Sequence, residues 1–303
     1  MPAVWRSARA LALCVASFVL AGWAAAVPID YDALNARLER LASEPDMVGL
    51  AVAVVENGEI SFAHGYGKTR IDGPAVTPDT VFRWASLSKG VASTVTSKLA
   101  VEGRMSLHDR IARYDTSLRL PGHAEEQGTV ENLLSHMIGI VPNAYDTSLE
   151  DGRDPATIRR SLAKLRAICP VGECYTYQNV AFDAISEIVE QVTGDSYDAA
   201  VRALLFEPLG MKTASLGLDA LVHAPSWAEP YQYRRRQGRM VHRTVKQPYY
   251  SVPAAGGVNG SVRDLALFAR AQMGLAPDVV EPEMLSELHT PRVYTRSEQS
   301  SMS

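Results

Sequence analysis

Apolar residues three and four apart at Leu34, Leu38 and Leu41 predict a helix over Tyr31 to Ala42. The pattern then changes. Met47 to Val55 is a continuous aliphatic run, Asn57-Gly58 follows, and Ile60 to Gly67 is a second run, which together predict an antiparallel hairpin turning at Asn-Gly. His64 falls inside the second run and reads as a strand residue rather than a ligand. Helical patterns return from Ser86 to about Glu102, closed by Gly103, and from Asn132 to His136, stopped by Gly139. Val180 to Thr193 is strongly amphipathic and closed by Gly194, and Tyr197 to Leu205 is a further helix. Trp227 to Arg243 alternates as strands with a turn at Gln237-Gly238, so Arg234-Arg235-Arg236 reads as a solvated hairpin edge. Pro253 to Gly260 reads as a glycine-rich loop, and Ser261 to Met273 as a helix with Asp264 in its first turn.

Strands, then a helical block, then more strand and helix predict an α+β fold. The expectation is an antiparallel β-sheet flanked by helices, with a mainly helical second subdomain inserted over roughly residues 105–225. With 303 residues, 47% of them hydrophobic and 21% charged, the chain is long enough to bury a substantial core.

Residues 1–26 read differently. Arg6 and Arg9 form a positive start, Ala10 to Trp23 an apolar stretch, and Ala24-Ala25-Ala26 a small-residue cleavage site. This is the pattern of a secretory signal, and the expected location is periplasmic or secreted, with the folded domain over 27–303 and no stable membrane span after cleavage. Removing that segment takes away two arginines and no acid, so the net charge moves from −4 to −6. Mild acidity argues against a nucleic-acid partner, whose binding needs a basic surface. Of the three cysteines Cys14 leaves with the signal. Cys169 and Cys174 then form a pair that can close a short disulfide ahead of Tyr177, given suitable backbone geometry. Two cysteines with no nearby histidine make a poor zinc site, and His108-Asp109 reads as a loop.

The candidate chemistry lies in Ser86-Leu87-Ser88-Lys89 and Tyr177-Gln178-Asn179. Residues three apart on a helix share a face, which sets the Lys89 ammonium beside the Ser86 hydroxyl. Free N–H groups and partial positive charge at a helix start favour an oxyanion there. Tyr177 is a poor base at the ordinary phenol pKa of about 10. A depression of about three units, near 4 kcal/mol, would make it useful, and a neighbouring cation such as Lys89 supplies that kind of shift. Asn179, two residues on, shares its side of an extended turn and offers an amide to Lys89 and to a substrate carbonyl.

Phe82-Arg83-Trp84-Ala85-Ser86-Leu87-Ser88-Lys89 is followed by Leu133-Leu134-Ser135-His136 with Gly139, Tyr177-Gln178-Asn179, Pro208-Leu209-Gly210-Met211, and Ala255-Gly256-Gly257 with Asp264-Leu265. In this order and spacing, over roughly residues 30 to 290, the chain resembles the serine β-lactamase and penicillin-binding-protein superfamily. It is similar to the class C-like branch, which includes D,D-peptidases and esterases; a tyrosine triplet stands where class A enzymes carry Ser-Asp-Asn. The resemblance implies Ser86 as nucleophile, Lys89 and Tyr177 as the proton-transfer pair, Asn179 as partner of Lys89 and of a substrate amide, and Asn143 facing the cleft. No metal or organic cofactor is implied. The expected activity is that of an exported serine hydrolase forming an acyl-enzyme on Ser86, acting on a β-lactam or a related amide or ester. Its partner would be a small-molecule or peptidoglycan-derived substrate. A D,D-peptidase, an esterase, or a catalytically impaired peptidoglycan- or penicillin-binding module are the alternatives.

The family's third motif, Lys-Thr-Gly or His-x-Gly on a late strand, finds no good match before Ser303. Lys212-Thr213-Ala214 falls in a connector, and His289-Thr290-Pro291 puts proline where a strand needs close backbone contact. The expectation is therefore a fold without its last strands and C-terminal helix. It would lack one oxyanion donor, worth about 10²–10³ in rate, and would leave an exposed hairpin edge.

Overall fold

The computed structural model describes residues 28–293, so the expected signal at 1–26 lies outside the described residues. The chain divides into two compact units, Met1–Arg37 and Leu38–Ser303, with the break inside helix α1 (Tyr31–Ala42). The account below concerns the second unit.

Strands β1 (Gly49–Glu56) and β2 (Glu59–Gly67) form the expected hairpin, turning through Asn57 and Gly58 at φ 53° and 84°. Two residues of positive φ match the right-handed twist of the paired strands. Among the described residues this hairpin pairs with no third strand. His64 lies on β2, stacked between Phe62 and Tyr66. Strand β3 (Phe82–Arg83) leads into a 3₁₀ turn, Ala85–Leu87, and then into helix α2 (Ser88–Val101). The expected helix thus begins two residues later than Ser86. Ala85 takes a left-handed φ of 47°, and this sharp change of direction prevents a continuous helix from the strand end. Ser88 locks the corner: its hydroxyl donates to Ala85 O at 2.6 Å and accepts from Val258 N at 2.9 Å.

Helices α3 (Val130–Leu134), α4 (Asp146–Glu150), α5 (Pro155–Ser161), α6 (Ala184–Thr193) and α7 (Tyr197–Val201) follow. Strand β4 (Ser215–Leu216), helix α8 (Leu218–Val222) and the hairpin β5 (Tyr231–Arg234) and β6 (Arg239–His242) come next. Arg234, Arg235 and Arg236 are exposed at the tip of that hairpin. The chain then enters α9 (Pro253–Gly256), β7 (Val258–Gly260), α10 (Val262–Gln272) and α11 (Pro282–His289).

Three further segments differ from expectation for physical reasons. The amphipathic helix starts at Ala184, not Val180, because 180–183 form a tighter turn in which Ala184, Ile185 and Ser186 donate three residues back. The short helix is Val130–Leu134, set by the capping box of Thr129 with Asn132, and His136 beyond it takes φ 59°. The segment read as a loop at Pro253 to Gly260 is a helical turn followed by strand β7. All three β7 residues are buried, because β7 runs between β3 and β4 in a three-stranded antiparallel sheet. β4 itself falls inside the range read as the helical insertion. A side chain on Gly260 would have its Cβ 2.8 Å from the Trp84 ring, so this strand admits only glycine at its end.

Helix α2 is buried on almost every side, from Lys89 and Val91 through Val95 to Leu99, and packs on α6, α9 and α11. The principal core surrounds it and takes in Ile111, Leu118, Phe182, Ile185, Tyr197 and Phe206. Lys212-Thr213-Ala214 lies in the connector to β4, where Thr213 hydrogen-bonds Asp264 and Ser261 at the start of α10. His289 is the last residue of α11, two residues ahead of Pro291, which cannot continue the helix. No helix among the described residues is long and apolar enough to cross a membrane.

Candidate active site

The 3₁₀ turn leaves Ser86 exposed, with its Oγ 2.7 Å from Tyr177 Oη and 3.5 Å from Lys89 Nζ. Lys89 lies one turn further along and is 8% exposed, so its ammonium must be satisfied from inside. It donates to Asn179 Oδ1 at 2.8 Å and to Ala255 O at 2.9 Å, and its Nζ stands 4.7 Å from the centre of the Tyr177 ring. Burial pushes the Lys89 ammonium below the usual lysine range, while Tyr177 and the carboxyls of Asp146 and Asp183 pull it back up. Ser86 is the second residue of its turn, where the backbone N–H has no helical acceptor.

The triplet 177–179 alternates sides, as an extended segment must. Tyr177 reaches Ser86 and Asn179 reaches Lys89. The buried Gln178 between them faces the opposite way, accepting from Ala144 N at 3.3 Å and donating to Val141 O at 2.7 Å. Asn143 N–H donates to Tyr177 O at 2.8 Å. Asn143 is exposed with φ 53°, so its backbone braces the triplet while its side chain lies at the surface. Gln178 therefore fixes the 140–144 loop to the site, a role its position between two candidate residues allows to be read from the alternation alone.

Two further carboxylates are brought in by tertiary contact. Asp146, in the first turn of α4, accepts from Asn179 Nδ2 at 2.6 Å. The Asn179 amide is thereby oriented, its oxygen to Lys89 and its nitrogen to Asp146. Burial pushes the Asp146 carboxyl up and the Asn179 hydrogen bond holds it down, with Glu150 raising and Lys89 lowering it further. Asp183, fully buried, accepts from Arg159 Nη1 at 2.8 Å and from Ala254 N at 2.9 Å. That second bond pins the turn whose next carbonyl, Ala255 O, receives Lys89. Burial pushes the Asp183 carboxyl up to about 7, against the pull of Arg159. Among the described residues, no three His, Cys, Asp or Glu side chains converge as a metal site.

Cys169 and Cys174 are joined in a disulfide with Cα atoms 6.3 Å apart. Its loop rests on the 136–139 segment: Gly172 N–H donates to Met137 O at 2.8 Å, and Ile168 N–H to Gly139 O at 2.9 Å. Gly139 has φ 74°, and a Cβ there would stand 2.3 Å from Cys169 O. Replacing both cysteines by serine frees a loop of six residues in the unfolded chain. The expected loss is about 2 kcal/mol, read as a lower urea midpoint with an unchanged m-value.

His136 closes the floor. It is buried, its Nδ1 accepts from Gln178 N at 3.2 Å, and its ring lies 4.6 Å from that of Tyr177. Burial, aided by the Lys89 charge, lowers its pKa to about 4. The unfolded chain takes up this proton near 6.5 while the native chain resists until about 4. The unfolded state therefore binds more protons in that window, and stability falls as pH drops through it, by up to about 3 kcal/mol. Urea unfolding from pH 7 to 4 checks this: His136→Gln, which keeps an acceptor but does not titrate, is expected to flatten the slope.

A hydroxyl with a phenol and an ammonium in reach, beside a free backbone N–H, can release its proton as it attacks a carbonyl. Comparison with known proteins gives the family. The family model described as Beta-lactamase matches residues 34–302. Penicillin-binding protein 4 of Amycolatopsis lactamdurans is 31% identical over 269 residues, covering 83% of this chain and 67% of its own. The unguisins hydrolase ungD′ of Aspergillus campestris (strain IBT 28561) is 28% identical over 260 residues, covering 82% of this chain and 48% of its own. The octameric penicillin-binding protein homologue from Pyrococcus abyssi superposes with a TM-score of 0.78 at 26% identity, covering 89% of this chain and 62% of that one. The chain thus spans about half to two thirds of the length of these relatives. With the fold, the order of motifs and the family match in agreement, this protein belongs to the β-lactamase family of hydrolases.

Proposed function

We propose that this protein is an exported serine hydrolase that forms an acyl-enzyme on Ser86, hydrolysing a β-lactam or a related amide or ester. The observation that carries the reading is the 2.7 Å contact between Ser86 Oγ and Tyr177 Oη, with Lys89 Nζ 3.5 Å from the same oxygen. Ser86 Oγ attacks the substrate carbonyl carbon, and its proton enters the Tyr177–Lys89 pair. The bond to the leaving amine or alcohol breaks, and that group departs with the proton. Water then attacks the Ser86 ester by the same route, releasing the acid and restoring the hydroxyl. Asn179 holds Lys89 in place and lies where a substrate amide would be met. Export to the periplasm or beyond is supported by the Arg6 to Ala26 pattern and by the Cys169–Cys174 disulfide.

The names of the relatives span a penicillin-binding protein, an unguisins hydrolase and an esterase, so D,D-peptidase and esterase activities belong to the same proposal. Purified protein assayed with a chromogenic cephalosporin, a D-Ala-D-Ala peptide and a 4-nitrophenyl ester separates them. Turnover of at least one substrate, lost in Ser86→Ala, is the expected result. Failure of all three together with no covalent adduct would remove the hydrolase assignment. A stable adduct without release would make the chain a binding module.

A further inference from the structure

A second constellation lies beside the Ser86 cluster. A cavity of about 310 Å³ is lined by Arg83, Glu150, Lys246 and Tyr249, with Leu221 and Val245 among its apolar walls. Arg83 enters it from β3. Its guanidinium carbon stands 4.7 Å from the centre of the Tyr250 ring and 5.8 Å from that of Tyr249. Two aromatic faces hold the planar group in one orientation, which leaves its N–H fork pre-organised. Yet among the described residues the Arg83 side chain makes no hydrogen bond and no ion pair, and its Nε is buried without a partner. Arg159, by contrast, uses all three of its nitrogens on Ser117, Asp183 and Glu187. A half-buried, oriented and unpaired guanidinium in a cavity is a seat for a planar anion.

The other charges narrow the choice. Lys246 is exposed at the edge of the cavity. Glu150 is engaged, its Oε1 accepting from Tyr249 Oη at 2.8 Å, which also fixes the Tyr249 ring. Two cations and one carboxylate leave a net charge of one, which a single carboxylate neutralises. The apolar walls and modest volume fit a short hydrocarbon stem. Two of its lining residues are tied through the chain to the reacting centre. Arg83 is three residues ahead of Ser86, at most about 10 Å along the chain. Glu150 lies one helical turn from Asp146, which holds Asn179.

We infer that this cavity takes a carboxylate carried on a short apolar stem of the substrate, anchored by Arg83 and bounded by Lys246. The inference rests on the acyl-enzyme reading above, so its test includes a measurement that needs no hydrolysis. The 4-nitrophenyl monoester of glutarate and 4-nitrophenyl pentanoate present acyl chains of equal length that differ in the terminal carboxylate. The intact protein is expected to prefer the glutarate monoester. Arg83→Met is expected to lower the ratio of the two kcat/KM values about 10- to 100-fold, the range of a charge-assisted hydrogen-bonded pair, and Lys246→Met to lower it less. Free glutarate is expected to bind the Ser86→Ala protein, measured by calorimetry, with an affinity that Lys246→Met weakens in that background. Equal kcat/KM values for the two esters in the intact protein, or no glutarate binding to the Ser86→Ala protein, would overturn the inference even if Arg83→Met fails to fold. Glutarate binding without hydrolysis of either ester would leave the pocket standing and remove the acyl-enzyme reading.

Discussion

Ser86→Ala protein is expected to hydrolyse the best substrate at least about 10⁴-fold more slowly than the intact protein, since loss of a nucleophile costs on the order of 10⁶ in kcat where it has been separated from binding. The reason is local. Ser86 is exposed, and its removal takes a partner from Tyr177 Oη and a long 3.5 Å contact from Lys89 Nζ, which keeps its bonds to Asn179 and Ala255. Neither the core around α2 nor the sheet β3–β7–β4 uses the Ser86 hydroxyl, because the structural serine of the motif is Ser88. The thermal midpoint should therefore stay within a degree or two while the rate collapses. A parallel fall in both would mean that Ser86 serves the fold rather than the chemistry.

Lys89→Met is expected to lower the rate by about 10³-fold, within the range for a lost proton-transfer group, and here stability moves by a different balance. Lys89 is a buried cation whose desolvation disfavours the charged form, and methionine of similar length removes that cost. Against it, Asn179 Oδ1 and Ala255 O lose their donor. The two effects are of the same size, about 1–3 kcal/mol for each orphaned acceptor, so the folded population survives while turnover is lost. Lys89→Arg is not a rescue, because a planar fork cannot reproduce the three-way donation of an ammonium to Ser86, Asn179 and Ala255. Steady-state rates and urea midpoints measured on the same preparations separate these effects.

The parts of the fold written in local chemistry were legible in advance. The Asn57-Gly58 turn demands positive φ, and Ser261 with Asp264 forms the capping box that starts α10. β7 was not legible. Val258-Asn259-Gly260 is too short to show a period and follows two glycines, and only the neighbouring β3 and β4 make it a buried central strand. The site divides along the same line. Ser86 and Lys89 are one helical turn apart, and Tyr177 and Asn179 are one alternation apart, so spacing alone puts each pair together. Asp146 and Asp183 carry no such signal. They reach Asn179 and the Ala254 amide through the packing of α4 and of the turn before α6, which sequence spacing does not encode.

The account depends most on an acyl bond forming at one oxygen. The purified protein should be mixed with a slowly released acylating substrate, such as a penicillin or an activated ester, then quenched in acid and weighed intact and as peptides. A mass increase equal to one acyl group, located on the peptide bearing Ser86 and absent from Ser86→Ala, is the result predicted. Substrate turnover with no adduct at Ser86, or an adduct that persists unchanged in the Ser86→Ala protein, would contradict it.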